Sequence, residues 1–138
     1  MNFSKGNALV CVDDDEIVLT VLSYQLRKIL SSGDELIEMT KDPLEVPAII
    51  EGLLEEGYAV PLVIVDFQMP VLNGSALIRL LHNKHPEMKF VMLSGEASDI
   101  QVQALYDDHL LHGFIGKPWS EEDIRRIVLP LLFERIES

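Results

Sequence analysis

Five short apolar runs alternate along the chain with stretches whose apolar residues recur at helical spacing, and few architectures accept that alternation. Residues 8–12, 36–39, 62–65, 90–93 and 114–116 read as strands. Short runs of this kind suit strands covered on both faces, whereas a strand wetted on one side would alternate apolar and polar residues. Residues 17–30 carry apolar side chains at 18, 22, 26 and 29, with Asp15 placed as N-cap and Glu16 in the first turn, where the helix dipole favours acids. A second helix is expected from Pro43 or Leu44 to about Glu56 despite Pro47, and a third through Ala76, Leu77, Leu80 and Leu81 up to His85-Pro86. The fourth spans 98–111. The fifth follows a capping box at Ser120-Glu121-Glu122-Asp123, and Pro130 should kink or split it near Leu129.

Strands alternating with helices make a parallel sheet covered on both faces. Of the two common doubly wound orders, 2-1-3-4-5 fits best, a flavodoxin-like α/β fold. It places the second run, which carries Glu38, and the short fifth run at the edges, and sets strands one and three side by side at the switch point. At 138 residues the chain fits one domain, with a core over 8–129 and a terminal helical extension over 130–138 able to lead into an output domain. Its stripe of Leu129, Leu132, Phe133 and Ile136 suits core packing first and a homodimer contact second.

A formal net charge of −12 argues against a nucleic-acid surface, which needs clustered Lys and Arg. No apolar stretch approaches the roughly 20 residues that span a bilayer, and the first seven residues lack the apolar core of a signal peptide. Cys11 stands alone in an apolar run, so the chain can form no internal disulfide and a cytoplasmic location is expected.

The third apolar run ends on Asp66, and Met69-Pro70 forbids both a continuing strand and an immediate helix. A buried strand that stops on a carboxylate holds it at the carboxyl rim of the sheet, where open α/β sheets carry their chemistry. Neighbouring strands lie about 4.8 Å apart, so Asp13 and Asp14, after strand one, should share a pocket with Asp66. Two carboxylates roughly 4 Å apart repel by about 4 kcal/mol at a surface-like dielectric, and three need counterions. Lys117, after strand five, supplies one positive charge, and a divalent metal, best Mg²⁺ for an all-oxygen site with few protein ligands, supplies two. Such a site suits phosphoryl transfer, with Asp66 attacking in line to form an acyl phosphate and Ser94, at the end of strand four, beside the new group.

Val12-Asp13-Asp14, Val65-Asp66 with Met69-Pro70 and Gly74, Leu93-Ser94-Gly95 and Phe114-Ile115-Gly116-Lys117-Pro118 occur in order at the ends of strands one, three, four and five. Together they resemble the motifs of the receiver domain of bacterial two-component response regulators. The resemblance implies that a histidine kinase or phosphotransfer protein donates phosphate from a phosphohistidine to Asp66. It implies Mg²⁺ held by Asp13, Asp14, Asp66 and the backbone carbonyl of Gln68, with Asp14 the direct ligand, and Lys117 paired with the phosphoryl oxygens. It further implies a cis Lys117-Pro118 bond, and a switch in which Ser94 swings toward the phosphate while Phe114 turns inward to repack helix four, strand five and helix five. Gln68 and Glu96 stand where the family tunes phosphate lifetime. Ser94 replaces the commoner Thr, and Phe114 lacks the hydroxyl of Tyr.

Plainer roles stand beside these. Asp66 could cap a helix, Ser94 could serve a cap or turn, and Lys117 could be a solvated turn lysine. His82 and His85 share an i, i+3 spacing but suit a solvated helix end, and His109 and His112 offer no ligand cluster. A Mg²⁺-dependent phosphatase of the haloacid-dehalogenase type would need a second Asp where Gln68 stands. A receiver-like interaction module that takes no phosphate would not need the whole set.

Overall fold

The computed structural model describes residues 5–30, 33–95 and 99–133. Five parallel strands, β1 (Asn7–Val12), β2 (Leu36–Thr40), β3 (Ala59–Asp66), β4 (Lys89–Ser94) and β5 (Gly113–Gly116), lie in the order β2-β1-β3-β4-β5. The expected doubly wound, flavodoxin-like topology is therefore present. Helices α1 (Glu16–Ile29) and α5 (Glu121–Phe133) cover one face, and α2 (Val46–Glu55), α3 (Gly74–Lys84) and α4 (Ile100–Asp107) cover the other.

The unbroken apolar runs follow from that double cover. Val10, Val12, Val63 and Val65 point to the α2–α4 side, while Leu9, Cys11, Leu62 and Ile64 point to the α1–α5 side. Cys11 is fully buried, and burial pushes its thiol well above the ordinary range, so it packs as a small hydrophobe. No helix among the described residues is long and apolar enough to cross a membrane.

The caps fall where the sequence puts them: Asp15 Oδ1 accepts from the Ile17 amide at 2.9 Å, and Ser120 and Asp123 bond reciprocally at 2.9 and 3.2 Å. Trp119 tucks between α1 and α5, its indole N–H donating to Gln25 Oε1 at 2.6 Å, and Lys28 meets Glu121 nearby at 3.4 Å.

Several local expectations need correction. The second helix opens with a 3-10 turn at Pro43–Glu45, capped by Asp42, and α2 proper starts at Val46, so Pro47 falls in its first turn, where a missing N–H costs nothing. Strand β3 begins at Ala59, three residues earlier than expected. Pro61 is tolerated inside it because the β1–β3 register slips between Asn7 and Leu9, opposite that point. Helix α4 stops at Asp107, since His109 adopts φ 59° and turns Leu110 and Leu111 back into the core. Helix α5 runs unsplit across Pro130 to Phe133, held by the continuous buried face of Ile124, Val128 and Leu132. His85 is not a solvated residue: its side chain is 12% exposed and its Nε2 lies 3.4 Å from Glu51. Glu96, Ile136 and the last residues of the expected extension lie outside the described residues.

Candidate functional site

Asp66, Asp13 and Lys117 each stand at the carboxyl end of a strand, and backbone bonds carry the ladder up to or one step past each of them. Asp66 is the last residue of β3, and the next amide, Phe67, donates to Leu93 O at 3.0 Å. Asp13 directly follows β1, its amide bonded to Thr40 O at 3.2 Å. Lys117 directly follows β5, its amide bonded to Ser94 O at 3.0 Å, and the Lys117-Pro118 peptide is cis, as the resemblance implies.

These roots bring the side chains together. Lys117 Nζ donates to Asp66 Oδ1 at 2.8 Å and to Asp13 Oδ2 at 3.1 Å, and the Asp15 amide donates to Asp13 Oδ1 at 2.8 Å. Carboxylate oxygens of Asp13, Asp14 and Asp66 lie within 4.8 Å of one another. Asp13, Asp66 and Ser94 are buried, while Asp14 is exposed at the mouth. A cleft of about 450 Å³ is lined by the three aspartates with Asp15, Gln68, Ser94, Gly95 and Lys117. Gln68 is exposed on its rim, and Phe114 is half-buried on β5, packed against the α2–α4 side core.

Three acids against one lysine leave two formal negative charges, an oxygen-only set that could hold a divalent metal. Among the described residues no histidine joins such a cluster; His112 Nδ1 instead accepts from the Phe90 amide at 3.2 Å.

The crowding shows in the titration of the group at its centre. Desolvation first, and then the charges of Asp13 and Asp14, push Asp66 up to about 6 against the opposing pull of Lys117. Asp13 is also raised, chiefly by burial, against its bonds to Asp15 and Lys117. Burial works to lower Lys117, but hydrogen bonds and charge from Asp66 and Asp13 outweigh it, and its affinity for the proton rises.

A stability trend follows, with its sign fixed by proton uptake. Unfolded, Asp66 ionises near its ordinary 3.8; folded, near 6. Between those values the folded chain binds more protons, so this residue adds stability as pH falls from 7 toward 4 in the absence of metal. Asp66→Asn lacks that response. Its stability advantage over the parent in urea unfolding is expected to shrink across this interval, and a gap independent of pH would contradict the assignment.

Two features of the site are poorly marked in the sequence. Asp15 reads there only as a helix cap, yet it also lines the cleft and its amide fixes Asp13; the Asp-x-Asp spacing, which suits an i to i+2 side-chain bond, is the available signal. Gly74 belongs to the Asp66 motif, but nothing local tells why a glycine stands there: it opens α3 directly against the backbone of Asp66.

Comparison with known proteins agrees with this geometry. The family model described as the response regulator receiver domain matches residues 9–129. The sensor kinase CckA of Brucella abortus (strain 2308) is 32% identical over 127 residues, 92% of this chain and 13% of that protein. Transcription factor SKN7 of Saccharomyces cerevisiae (strain ATCC 204508 / S288c) is 24% identical over 132 residues, 96% of this chain and 20% of that protein. The chain thus spans a fifth or less of either curated relative. Among solved structures, a response regulator receiver domain protein from Clostridium thermocellum superposes with a TM-score of 0.76 at 19% identity, covering 91% of this chain and 94% of that one.

Proposed function

The chain belongs to the response regulator receiver domain family, and from that premise we propose that it is a signalling switch that accepts a phosphoryl group on Asp66 in a Mg²⁺-dependent reaction. The observation that carries this reading is the ammonium of Lys117 bonded to both Asp66 and Asp13, with Asp14 open to solvent beside them.

The donor set fits a hard cation. Asp13, Asp14 and Asp66, with the backbone carbonyl of Gln68, would hold Mg²⁺, Asp14 ligating directly. Bound there, the ion supplies positive charge to the phosphoryl oxygens. The chain's own residues do the rest. With a pKa of about 6, Asp66 is mostly ionised at neutral pH and needs no base. Its carboxylate attacks the phosphorus of a phosphohistidine, the P–N bond breaks with its electron pair going to the imidazole, which takes up a proton, and an acyl phosphate remains on Asp66. Lys117 moves from the carboxylates to the phosphoryl oxygens. Ser94 donates its hydroxyl to the new group while Phe114 turns inward, repacking the surface of α4, β5 and α5. Gln68 and Glu96 set the access of the hydrolytic water and hence the lifetime of the phosphate. Gln68 stands where a phosphatase of the haloacid-dehalogenase type needs an acid, so repeated turnover of a small ester is not favoured.

The donor is a histidine kinase or a phosphotransfer protein in the cytoplasm, and its docking surface has a candidate beside the site. Ile17, Val21 and Tyr24 are 75%, 42% and 66% exposed on one stripe of α1, and Ile17 and Val21 line a mainly apolar groove with Lys117, Pro118 and Trp119. A partner helix with an apolar face would bury this stripe and reach Asp66. A homodimer contact or a C-terminal output domain would read the α4–β5–α5 surface.

The test is incubation with acetyl phosphate and Mg²⁺, followed by peptide mapping. One base-labile phosphate on Asp66 is expected, absent when the metal is chelated before the donor is added; phosphate on a histidine would overturn the mechanism. Ile17→Ala with Tyr24→Ala should leave uptake from acetyl phosphate unchanged and slow uptake from a phosphohistidine partner by roughly tenfold or more.

A further inference from the structure

Helix α3 starts against the phosphoacceptor's own backbone. A Cβ on Gly74 would lie 2.4 Å from the carbonyl oxygen of Asp66, 3.1 Å from its carbonyl carbon and 3.0 Å from Val65 Cγ1. Main-chain atoms cannot rotate aside as the tip of a side chain can. Gly74 lies within α3 and is not among the glycines with positive φ, so close approach rather than torsion calls for glycine here. The contact is also tied in place. Gly74 N donates to Phe67 O at 2.8 Å, and Asn73 Oδ1 caps the helix by accepting from the Ala76 amide at 2.9 Å. Asn73 Nδ2 donates to Gln101 Oε1 at 3.1 Å, on α4.

We propose that Gly74 is a positioning residue: its bare Cα lets the first turn of α3 seat on the Asp66 backbone, and that seat fixes the carboxylate relative to Lys117 and Asp13. The inference deepens the phosphoacceptor reading and rests on it. Any side chain at 74 must push α3 and the end of β3 apart by more than half an ångström to reach ordinary contact. The carboxylate that would shift makes a 2.8 Å bond to Lys117, and misplacement by about an ångström is enough to cost a transfer reaction roughly two orders of magnitude.

Gly113 provides the matched control. A Cβ there would lie 2.8 Å from Ile127 Cγ2 and 3.3 Å from Val91 Cγ2, also too close but less so than at Gly74 and against side chains only, on the first residue of β5, at the end of that strand away from the cleft. Gly74→Ala, Gly113→Ala and the parent are compared at a temperature where circular dichroism shows all three folded. Gly74→Ala is expected to take phosphate from acetyl phosphate about 10- to 100-fold more slowly and to bind Mg²⁺ more weakly, while Gly113→Ala keeps both within about twofold. A folded Gly74→Ala with parental rate and Mg²⁺ affinity would overturn the proposal, as would equal impairment of Gly113→Ala.

Should Gly74→Ala not fold, Asn73→Ala decides, since it withdraws the cap of α3 without adding an atom near Asp66. It should slow uptake several-fold and weaken Mg²⁺ binding, with Gln101→Ala, which removes only the other partner of Asn73, unchanged. Parental behaviour of Asn73→Ala refutes the seat. A parent chain that takes up no phosphate would instead sink the phosphoacceptor reading, leaving the Mg²⁺ affinities of the same variants to decide this one.

Discussion

Asp66→Asn is expected to take up no phosphate from acetyl phosphate and Mg²⁺, and to be more stable than its parent at neutral pH without metal. The two effects share one cause. Asp66 is 4% exposed, and its burial, with the charges of Asp13 and Asp14, raises its pKa to about 6 against the opposing pull of the bond to Lys117. An ionised carboxylate held there is ready to attack phosphorus, and held there at a cost. The amide keeps the shape and can still accept from Lys117, but it is no nucleophile toward a phosphoryl group and carries no charge. We expect a gain of roughly 1–2 kcal/mol at pH 7.5, less than the full shift would give because the cleft admits water. Intact-mass measurement checks the first effect and urea unfolding the second. Phosphate retained by the variant, or a variant less stable than the parent, would contradict the site.

Lys117→Met should do the reverse to stability and the same to function. Asp13 and Asp66 have side-chain exposures of 1% and 6%, and Lys117 is the cation bonded to both. Removing one partner of a buried ion pair leaves the other desolvated and uncompensated, which typically costs about 3–5 kcal/mol; with Lys117 itself partly exposed, we expect about 2–3 kcal/mol. The loss should shrink in millimolar Mg²⁺, because a divalent ion on the three acids would replace the missing charge and binds the folded chain only. Phosphate uptake is expected to fall by about 10²-fold even with the metal saturating, since no side chain then reaches the phosphoryl oxygens from that side. Thermal unfolding with and without Mg²⁺ separates the two effects, and a destabilisation indifferent to Mg²⁺ would argue against metal binding at the acids.

The sheet was legible because covering both faces leaves an unmistakable pattern: runs such as Val63-Ile64-Val65 cannot sit elsewhere in a chain of this length. Asp66 and Lys117 were legible for a related reason, each standing where an apolar run breaks. What escaped notice depends on tertiary fit. Pro61 looks like a barrier to β3 until the register slip opposite it is seen. Pro130 looks like a break in α5, but the buried face carries the helix through. No local pattern foretells that His109 will take φ 59° and end α4 early, and none distinguishes a turn glycine from one pressed against the carbonyl of Asp66.

Trp119 is the sole tryptophan of the chain, and it sits two residues past Lys117 with its indole tied to Gln25. Trp119 and Lys117 line the same groove, at the seam between α1 and α5. The molecule thus carries a built-in fluorophore at its site, whose emission can follow the chemistry in real time without an added dye.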